Sequence, residues 1–151
     1  MRISIGADHR GHALKQRLVP WLRSLGHEVA DEGATSADST DYPDYAAKVA
    51  HKVSAGQADR GVLVCATGVG MCITANKVHG VRATTVPDEE VAQLSRQHND
   101  VNVACLSGDR LDESSAQRVL QTWLTTPFEG GERHIRRIEK IAAVERTECG
   151  S

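Results

Sequence analysis

The chain has 151 residues, a formal net charge of −2, and 40% hydrophobic and 25% charged residues. This composition predicts a single globular domain over residues 1–151, and the small net charge gives no electrostatic reason to expect nucleic acid or a membrane surface as partner. Only 3% of the residues are aromatic, which argues further against a surface that stacks on nucleic-acid bases.

The amino terminus, the cysteines and the histidines favour a reduced, cytoplasmic protein without a metal site. The opening segment has no long apolar stretch, and no run in the sequence approaches transmembrane length. The four cysteines show neither a CxxC pair nor the spacing of a disulfide framework, and the seven histidines form no HExxH motif or short His/Cys cluster. We therefore expect no dedicated metal site.

The first half of the chain alternates between strand and helix patterns. In chain order, the pattern predicts a strand at residues 2–6, a helix at 14–25, a strand at 27–31, a helix at 42–54 and a strand at 61–65. Pro20 should kink the first helix, because it removes a backbone donor and crowds the preceding turn. Residues 61–65 (GVLVC) are apolar throughout, which is typical of a central parallel strand covered on both faces.

The second half continues the alternation. It predicts a helix at residues 70–77, a strand at 81–85, a helix at 88–98 that Asp88 can cap, a strand at 103–106, a helix at 112–125 and a last helix from about residue 133. A strand–helix repeat with right-handed crossovers builds a parallel sheet with helices on both faces. The predicted fold is therefore α/β, a three-layer α/β/α, Rossmann-like, doubly wound sheet of five parallel strands with an extra C-terminal helix.

Two loops at the predicted carboxyl ends of strands combine glycines with polar side chains. Residues 7–11 (ADHRG) follow the first strand, and residues 65–70 (CATGVG) follow the third and run into a helix. Ligands of such sheets bind beyond the carboxyl ends of the strands, and the glycines let backbone amides turn toward a phosphate or an enediolate. The second loop lacks the third glycine of a dinucleotide fingerprint. Taken alone, it is equally compatible with ordinary helix-start geometry.

Cys65 lies where a strand ends and a helix begins. This position favours a thiolate, which can act as a base or a nucleophile. Free cysteine is also among the most buried residue types, so Cys65 could equally be a small core residue. We interpret the other cysteines, Cys72, Cys105 and Cys149, as structural.

His98, Arg133 and Arg137 belong to the opposite edge of the predicted sheet. His98 lies just before a strand, whereas the Cys65 loop lies just after one. The two arginines are spaced i, i+4, so one helical face can present both guanidinium groups to a phosphate. A helix-end histidine and a solvated terminal helix are the simpler interpretations. If these residues share a site with Cys65, they must come from a second subunit.

Five blocks of sequence, taken in order, resemble the type B ribose-5-phosphate isomerases of the ribose/galactose isomerase family. They are GADHRGHALK (6–15), TDYPDYA (40–46), CATGVGMCITANK (65–77), SRQHNDVNV (95–103) and EGGERHIRRIEKI (129–141). The resemblance implies reversible isomerisation of D-ribose 5-phosphate to D-ribulose 5-phosphate through an enediolate, within pentose phosphate metabolism and without metal or organic cofactor. It also implies a homodimer, or a tetramer built from dimers, with its sites between subunits.

The resemblance also implies roles for individual residues. Cys65 matches the base that transfers the proton, Thr67 helps to hold the enediolate, and His98 opens the sugar ring. The other implied substrate contacts are Asp8, His9, Tyr42, Ala66, Gly68, Val69, Gly70, Asn99, Arg110, Arg133 and Arg137. The imidazole and the three guanidinium groups in this set match the phosphate-binding residues.

The sequence departs from the family pattern at several positions, which bears on the size of the sugar. Ala66 replaces a glycine, and Glu132 is an extra residue before Arg133. An isomerase of another sugar phosphate is therefore an alternative, such as allose or galactose 6-phosphate or a four-carbon sugar phosphate. A non-catalytic nucleotide- or phosphate-binding module is a second alternative, although binding alone needs no base. A nicotinamide-dependent oxidoreductase is the weakest, because its fingerprint is incomplete.

Overall fold

Five strands and six helices alternate along residues 1–148, the part of the chain that the computed structural model describes. In chain order they are β1 (Arg2–Ala7), α1 (His12–Ser24), β2 (Glu28–Asp31), α2 (Tyr42–Ser54), β3 (Arg60–Cys65), α3 (Val69–Ala75), β4 (Ala83–Thr85), α4 (Glu89–Asn99), β5 (Val103–Ser107), α5 (Glu113–Thr125) and α6 (Glu132–Glu148). The strands form one sheet in the order β2-β1-β3-β5-β4, and every pair is parallel. Cys149 lies outside the described residues.

Alternate residues of β3 face two separate hydrophobic cores. Val62 and Val64 pack on the side of α1, α4 and α5, whereas Leu63 and Cys65 pack on the side of α2 and α3. All four side chains are 5% exposed or less. Both faces of the central strand are thus covered, as its uninterrupted apolar sequence predicts. The predicted three-layer, doubly wound α/β fold is confirmed.

The sheet has its topological switch point between β1 and β3. From β1 the chain crosses to β2 over the face that α1 covers, and then returns to β3, on the other side of β1, over the face that α2 covers. The loops after β1 and β3 therefore flank a crevice at the carboxyl edge of the sheet. This is where ligands of open parallel sheets bind.

Two predicted boundaries need correction, and backbone hydrogen bonds explain both. The strand predicted at 81–85 starts only at Ala83, because the Val81 amide closes a turn onto Val78 and the Arg82 amide donates to the Asn102 side chain. The helix predicted to reach residue 77 ends at Ala75. Here the side-chain amide of Asn76 bonds both the N–H and the carbonyl oxygen of Ala83, at 2.8 and 2.9 Å.

The helix ends follow the predicted capping in part. Asp88 caps α4 by accepting a hydrogen bond from the Val91 amide at 2.8 Å. Helix α1 continues through Pro20 to Ser24, and the kink expected at Pro20 stays a prediction. Within residues 1–148, no helix has the length and apolar character needed to cross a membrane.

Gly11, the N-cap residue of α1, lies tightly against the backbone of β3. A Cβ at this position would overlap the backbone carbonyl of Val64. Because backbone cannot move aside as a flexible side chain can, we expect Gly11→Ala to lower the free energy of unfolding by about 1–3 kcal/mol. Urea denaturation at fixed protein concentration measures this. Gly131→Ala is the matched control, since its nearest neighbour lies 3.5 Å away. Equal urea midpoints for the two variants would contradict the expectation.

Candidate active site

The loop after β3 folds over the Cys65 side chain. Cys65 is 5% exposed, and the Gly68 amide donates a hydrogen bond to its Sγ at 3.2 Å. Gly68 has a φ of +80°, and a Cβ there would lie 3.2 Å from the carbonyl oxygen of Cys105. Glycine is thus what allows the amide to reach the sulfur. Negative charge on Sγ would have a backbone donor as its direct partner.

A hydroxyl group and free backbone amides lie beside Cys65 at the start of α3. Thr67 is exposed, and its Oγ1 accepts a hydrogen bond from the Val69 amide at 3.2 Å. The amides of Gly70 and Met71 belong to the first turn of α3, where a helix supplies no acceptor of its own. These donors can bind an oxyanion formed next to Cys65. The sequence prediction stopped at Gly70, and the first turn extends the candidate donors to Met71.

Ser107 holds the loop after β3 and was missed by the sequence analysis. Its hydroxyl donates to the carbonyl oxygen of Ala66 at 2.6 Å and accepts from the Arg110 amide at 3.2 Å. The Gly108 amide also donates to the carbonyl oxygen of Cys65, at 2.7 Å. The loops after β3 and β5 are therefore locked together. The signal available in the sequence was the position of Ser107 directly after the strand predicted at residues 103–106.

A cavity of about 360 Å³ opens at this edge of the sheet. Thr67, Val69 and Arg110 line it, together with Ser107. Its volume is in the range of small-molecule sites. Arg110 is exposed, so its guanidinium group can meet a ligand.

The loop after β1 contributes Asp8 and His9. Asp8 is 5% exposed, and its Oδ1 accepts hydrogen bonds from the amides of Arg10 and Gly11 at 2.9 and 3.0 Å. Nδ1 of His9 lies 3.2 Å from both the amide nitrogen and the carbonyl oxygen of Thr40. Because Thr40 engages Nδ1 in either tautomer, Nε2 is the atom of His9 that can contact a ligand.

Tyr42 packs directly on the loop that follows Cys65. A Cβ at Gly70 would lie 2.5 Å from Cζ of the Tyr42 ring, so only glycine lets the ring come this close. Tyr42 itself is 41% exposed.

An ion pair between Arg10 and Asp109, at 2.7 Å, joins the loops after β1 and β5. The structure thus gathers the predicted residues of this edge, namely Asp8, His9, Tyr42, Cys65, Ala66, Thr67, Gly68, Val69, Gly70 and Arg110.

The remaining predicted residues lie at the opposite edge of the sheet. In the strand register, Val103 pairs with Gly61 and Ser107 pairs with Cys65. His98 and Asn99 end α4, just before β5, so the length of β5 separates them from the Cys65 loop, roughly 13 Å along the strand. The amide of Glu129 donates to the carbonyl oxygen of Gln97 at 3.2 Å. This bond fastens the segment leading into α6, with Arg133 and Arg137, beside His98.

A buried histidine at this second edge was missed by the sequence analysis. His134 is 4% exposed, and its ring stacks on His98 with a centroid separation of 4.4 Å and an interplanar angle of 9°. Its Nε2 lies 3.4 Å from a carboxylate oxygen of Glu129 and 3.4 Å from Nε of Arg133. Burial, followed by the neighbouring His98 and Arg133, lowers the pKa of His134. The lowered pKa favours the neutral form of the His134 ring.

His98, Glu129 and His134 also place three metal-ligating atoms within 4.8 Å of one another. The sequence search for short His/Cys spacings did not reveal this cluster, because its members are 31 and 5 residues apart. A ring nitrogen directs its lone pair in the plane of the ring. Two nearly parallel stacked rings cannot both direct lone pairs at one ion, and the Arg133 cation adjoins the same nitrogen. The arrangement does not fit a metal ion.

Cys72, on α3, was interpreted as structural and is a second, half-buried thiol close to the site. A hydrogen bond from Cys105 lowers the pKa of Cys72 to about 7, whereas burial raises the pKa of the Cys105 thiol. Since the thiolate is the reactive form, alkylation of Cys72 by iodoacetamide should increase with pH and level off above its pKa. Peptide mass spectrometry follows this residue separately from Cys65. In Cys105→Ala the midpoint should move to higher pH, and an unchanged midpoint would contradict the assignment.

Comparison with known proteins decides the family. A model of the ribose/galactose isomerase family matches residues 3–141. The chain belongs to this family. Ribose-5-phosphate isomerase B of Escherichia coli is 44% identical over 144 residues, which cover 95% of this chain and 96% of the relative. The predicted family membership is confirmed.

Solved structures of the family share the fold. Ribose-5-phosphate isomerase B of Clostridium thermocellum superimposes with a TM-score of 0.95 at 41% identity, over 97% of this chain and 99% of the other. The Mycoplasma genitalium ribose-5-phosphate isomerase B, whose structure has bound ribulose 5-phosphate, gives a TM-score of 0.92 at 42% identity over 96% of each chain.

Proposed function

We propose that the chain catalyses the reversible isomerisation of D-ribose 5-phosphate and D-ribulose 5-phosphate through an enediolate. The observation that carries the proposal is Cys65, buried at the switch point of the sheet under a loop that aims the Gly68 amide at its sulfur. Family membership supports the same reaction, since the similar proteins from E. coli, C. thermocellum and M. genitalium bear the name ribose-5-phosphate isomerase B. We further propose a single cytoplasmic domain that needs no metal or organic cofactor.

Cys65 is proposed to move the proton between two neighbouring carbon atoms. Its thiolate removes the proton from C2 of the open-chain aldose, which leaves an enediolate with negative charge on oxygen. The amides of the 66–70 loop hold this oxyanion, and Thr67 passes a proton from O2 to O1. Cys65 then returns its proton to C1, which gives the ketose. One base suffices, because the two carbon atoms are adjacent and the enediolate is planar.

We propose that the remaining predicted residues open the sugar ring and bind the sugar and its phosphate. His98 transfers a proton during ring opening, in which the C1–O4 bond breaks, O1 loses a proton and O4 gains one. Asp8, Tyr42 and Asn99 contact the sugar hydroxyl groups. Four basic groups bind the phosphate: His9, Arg110, Arg133 and Arg137. Positive groups in several directions suit a phosphate dianion, and guanidinium groups bind its oxygens in pairs.

A dimer is part of the proposal, because one chain holds these groups at opposite edges of its sheet. Helix α6 leaves apolar side chains uncovered, with Ile135 41%, Ile141 49% and Val144 60% exposed. Ile141 and Val144 also line a cavity of about 530 Å³ that reaches Asn99. Burying this surface against a second chain would bring the α6 arginines of one subunit to the Cys65 loop of the other. A tetramer of such dimers is compatible with the same arrangement.

Turnover of a panel of sugar phosphates in the presence of a chelator tests the proposal. We expect ribose 5-phosphate to be converted with a higher kcat/KM than allose 6-phosphate, galactose 6-phosphate or a four-carbon aldose phosphate. Added chelator should leave the rate unchanged. Preference for a six-carbon or four-carbon substrate would show that the proposed substrate is wrong, whereas the proposed type of reaction would stand. If the folded protein isomerises none of these sugar phosphates, the proposal that it is a sugar-phosphate isomerase is rejected.

A further inference from the structure

His134 is set apart from the other histidines by its burial. All seven histidines are among the described residues, and only His134 is buried, with 4% of its surface exposed. It lies in α6, and the segment just before α6 is bonded to α4 through the amide of Glu129 and the carbonyl of Gln97. Burying a polar ring costs free energy unless the ring is hydrogen-bonded, and here Nε of Arg133 donates to Nε2 of His134. The position it occupies is directly against His98.

The contact between the two rings is specific in both distance and angle. A centroid separation of 4.4 Å with planes only 9° apart leaves His98 little freedom to rotate on the side that His134 covers. Nε of Arg133 donates a hydrogen bond to Nε2 of His134 at 3.4 Å, and a carboxylate oxygen of Glu129 lies 3.4 Å from the same nitrogen. These contacts fix the orientation of the His134 ring. Because His98 is only half-buried, its own orientation depends on the ring of His134 that stacks on it.

We infer that His134 is a positioning residue that holds the imidazole of His98 in the plane needed for opening the sugar ring. The inference rests on the proposed function, and it adds a residue with a named role. His98 must pass through its protonated form when it moves a proton during ring opening. A second cationic imidazole stacked on it would oppose this step by like-charge repulsion. Burial lowers the pKa of His134, and the Arg133 Nε that donates to its Nε2 disfavours a proton on that nitrogen, so this repulsion is reduced.

Two readouts separate this role from general support of the site. Ribose 5-phosphate is mainly a closed furanose, so its turnover requires ring opening. Ribulose 5-phosphate has no free hydroxyl on C5 and is an open chain. Exchange of its C1 proton with deuterated solvent requires Cys65 but no ring opening. A positioning residue for His98 should affect the first readout and spare the second.

The experiment compares wild type, His98→Ala, His134→Ala and the double variant by NMR in D₂O. We expect His134→Ala to lower kcat on ribose 5-phosphate by about 10–100-fold, as misplacement of a catalytic group does. Exchange at C1 of ribulose 5-phosphate should stay at the wild-type rate. In the His98→Ala background the second change should have no further effect, because His134 acts through His98.

His134→Phe keeps the inference testable where the alanine variant does not fold, since it retains a flat ring for stacking. It should retain a higher rate of ribose 5-phosphate turnover than His134→Ala. If His134→Ala does not fold, the comparison is with His98→Ala, and the phenylalanine variant should again have the higher rate. Parallel loss of turnover and exchange, independent losses in the double variant, or unchanged turnover would each overturn the inference. The wild-type protein reports separately on the proposed function, because absence of both signals there would reject the isomerase itself.

Discussion

Cys65→Ala should lower kcat on ribose 5-phosphate by about 10²–10⁴-fold, the usual contribution of a positioned general base. KM should change much less, because the proposed phosphate contacts come from other residues. The side chain is small and 5% exposed, so the alanine variant should fold. Circular dichroism and steady-state kinetics on the purified protein measure both properties. Cys65→Ser should be nearly as inactive, since a hydroxyl group gives up its proton far less readily than a thiol.

Cys72→Ala is the matched control for this prediction. Cys72 is also a thiol, it lies on α3 close to Cys65, and it is half-buried. Our account gives it no part in the reaction, so its removal should leave kcat unchanged. Loss of activity in Cys72→Ala, together with retained activity in Cys65→Ala, would show that the reacting thiol has been misassigned.

The second large effect is expected when two variants, each with low activity at low substrate concentration, are mixed. Arg137→Ala should raise KM for ribose 5-phosphate by roughly 10–100-fold, because a charge-assisted hydrogen bond to phosphate contributes about 1.5–3 kcal/mol. If sites lie between subunits, a dimer of one Cys65→Ala chain and one Arg137→Ala chain contains one intact site. Random re-pairing should then restore roughly a quarter of the wild-type activity at low substrate.

Unmixed samples and a mixture that has not been allowed to exchange subunits are the controls. Native mass spectrometry before and after mixing shows whether exchange has occurred, because a mixed dimer has a mass between those of the two parent dimers. Exchange without recovered activity would place Arg137 and Cys65 in one chain. That result would contradict the proposed dimer site, because it would require α6 to reach the Cys65 loop of its own subunit.

The sequence predicted the fold well because its strongest signals are local. The run from Gly61 to Cys65 is apolar at every position, and the structure covers it on both faces. The helical leucines of α1 were equally clear. The end of α3 and the start of β4 were predicted less well, since a tertiary contact sets them. There the side chain of Asn76 bonds the backbone of Ala83 across the intervening turn.

The candidate site could be predicted only as far as strand ends reveal it. Asp8, Cys65 and Thr67 follow strands directly, so parallel topology brings them to one edge. Ser107 and His134 were missed for a different reason. Ser107 acts through the Ala66 carbonyl, 41 residues away, and His134 acts through His98, 36 residues away. No periodic pattern encodes such contacts between separate elements, although His134 stands inside the block that resembles the family.

Deuterium incorporation during the conversion of ribose 5-phosphate in D₂O, with chelator present, tests the central claim most directly. Our account predicts that the wild-type protein produces ribulose 5-phosphate carrying deuterium at C1, because Cys65 exchanges its proton with solvent during the reaction. Cys65→Ala should slow both product formation and exchange by about 10²–10⁴-fold. Product formation by folded Cys65→Ala at the wild-type rate would contradict the account, since another group would then be transferring the proton.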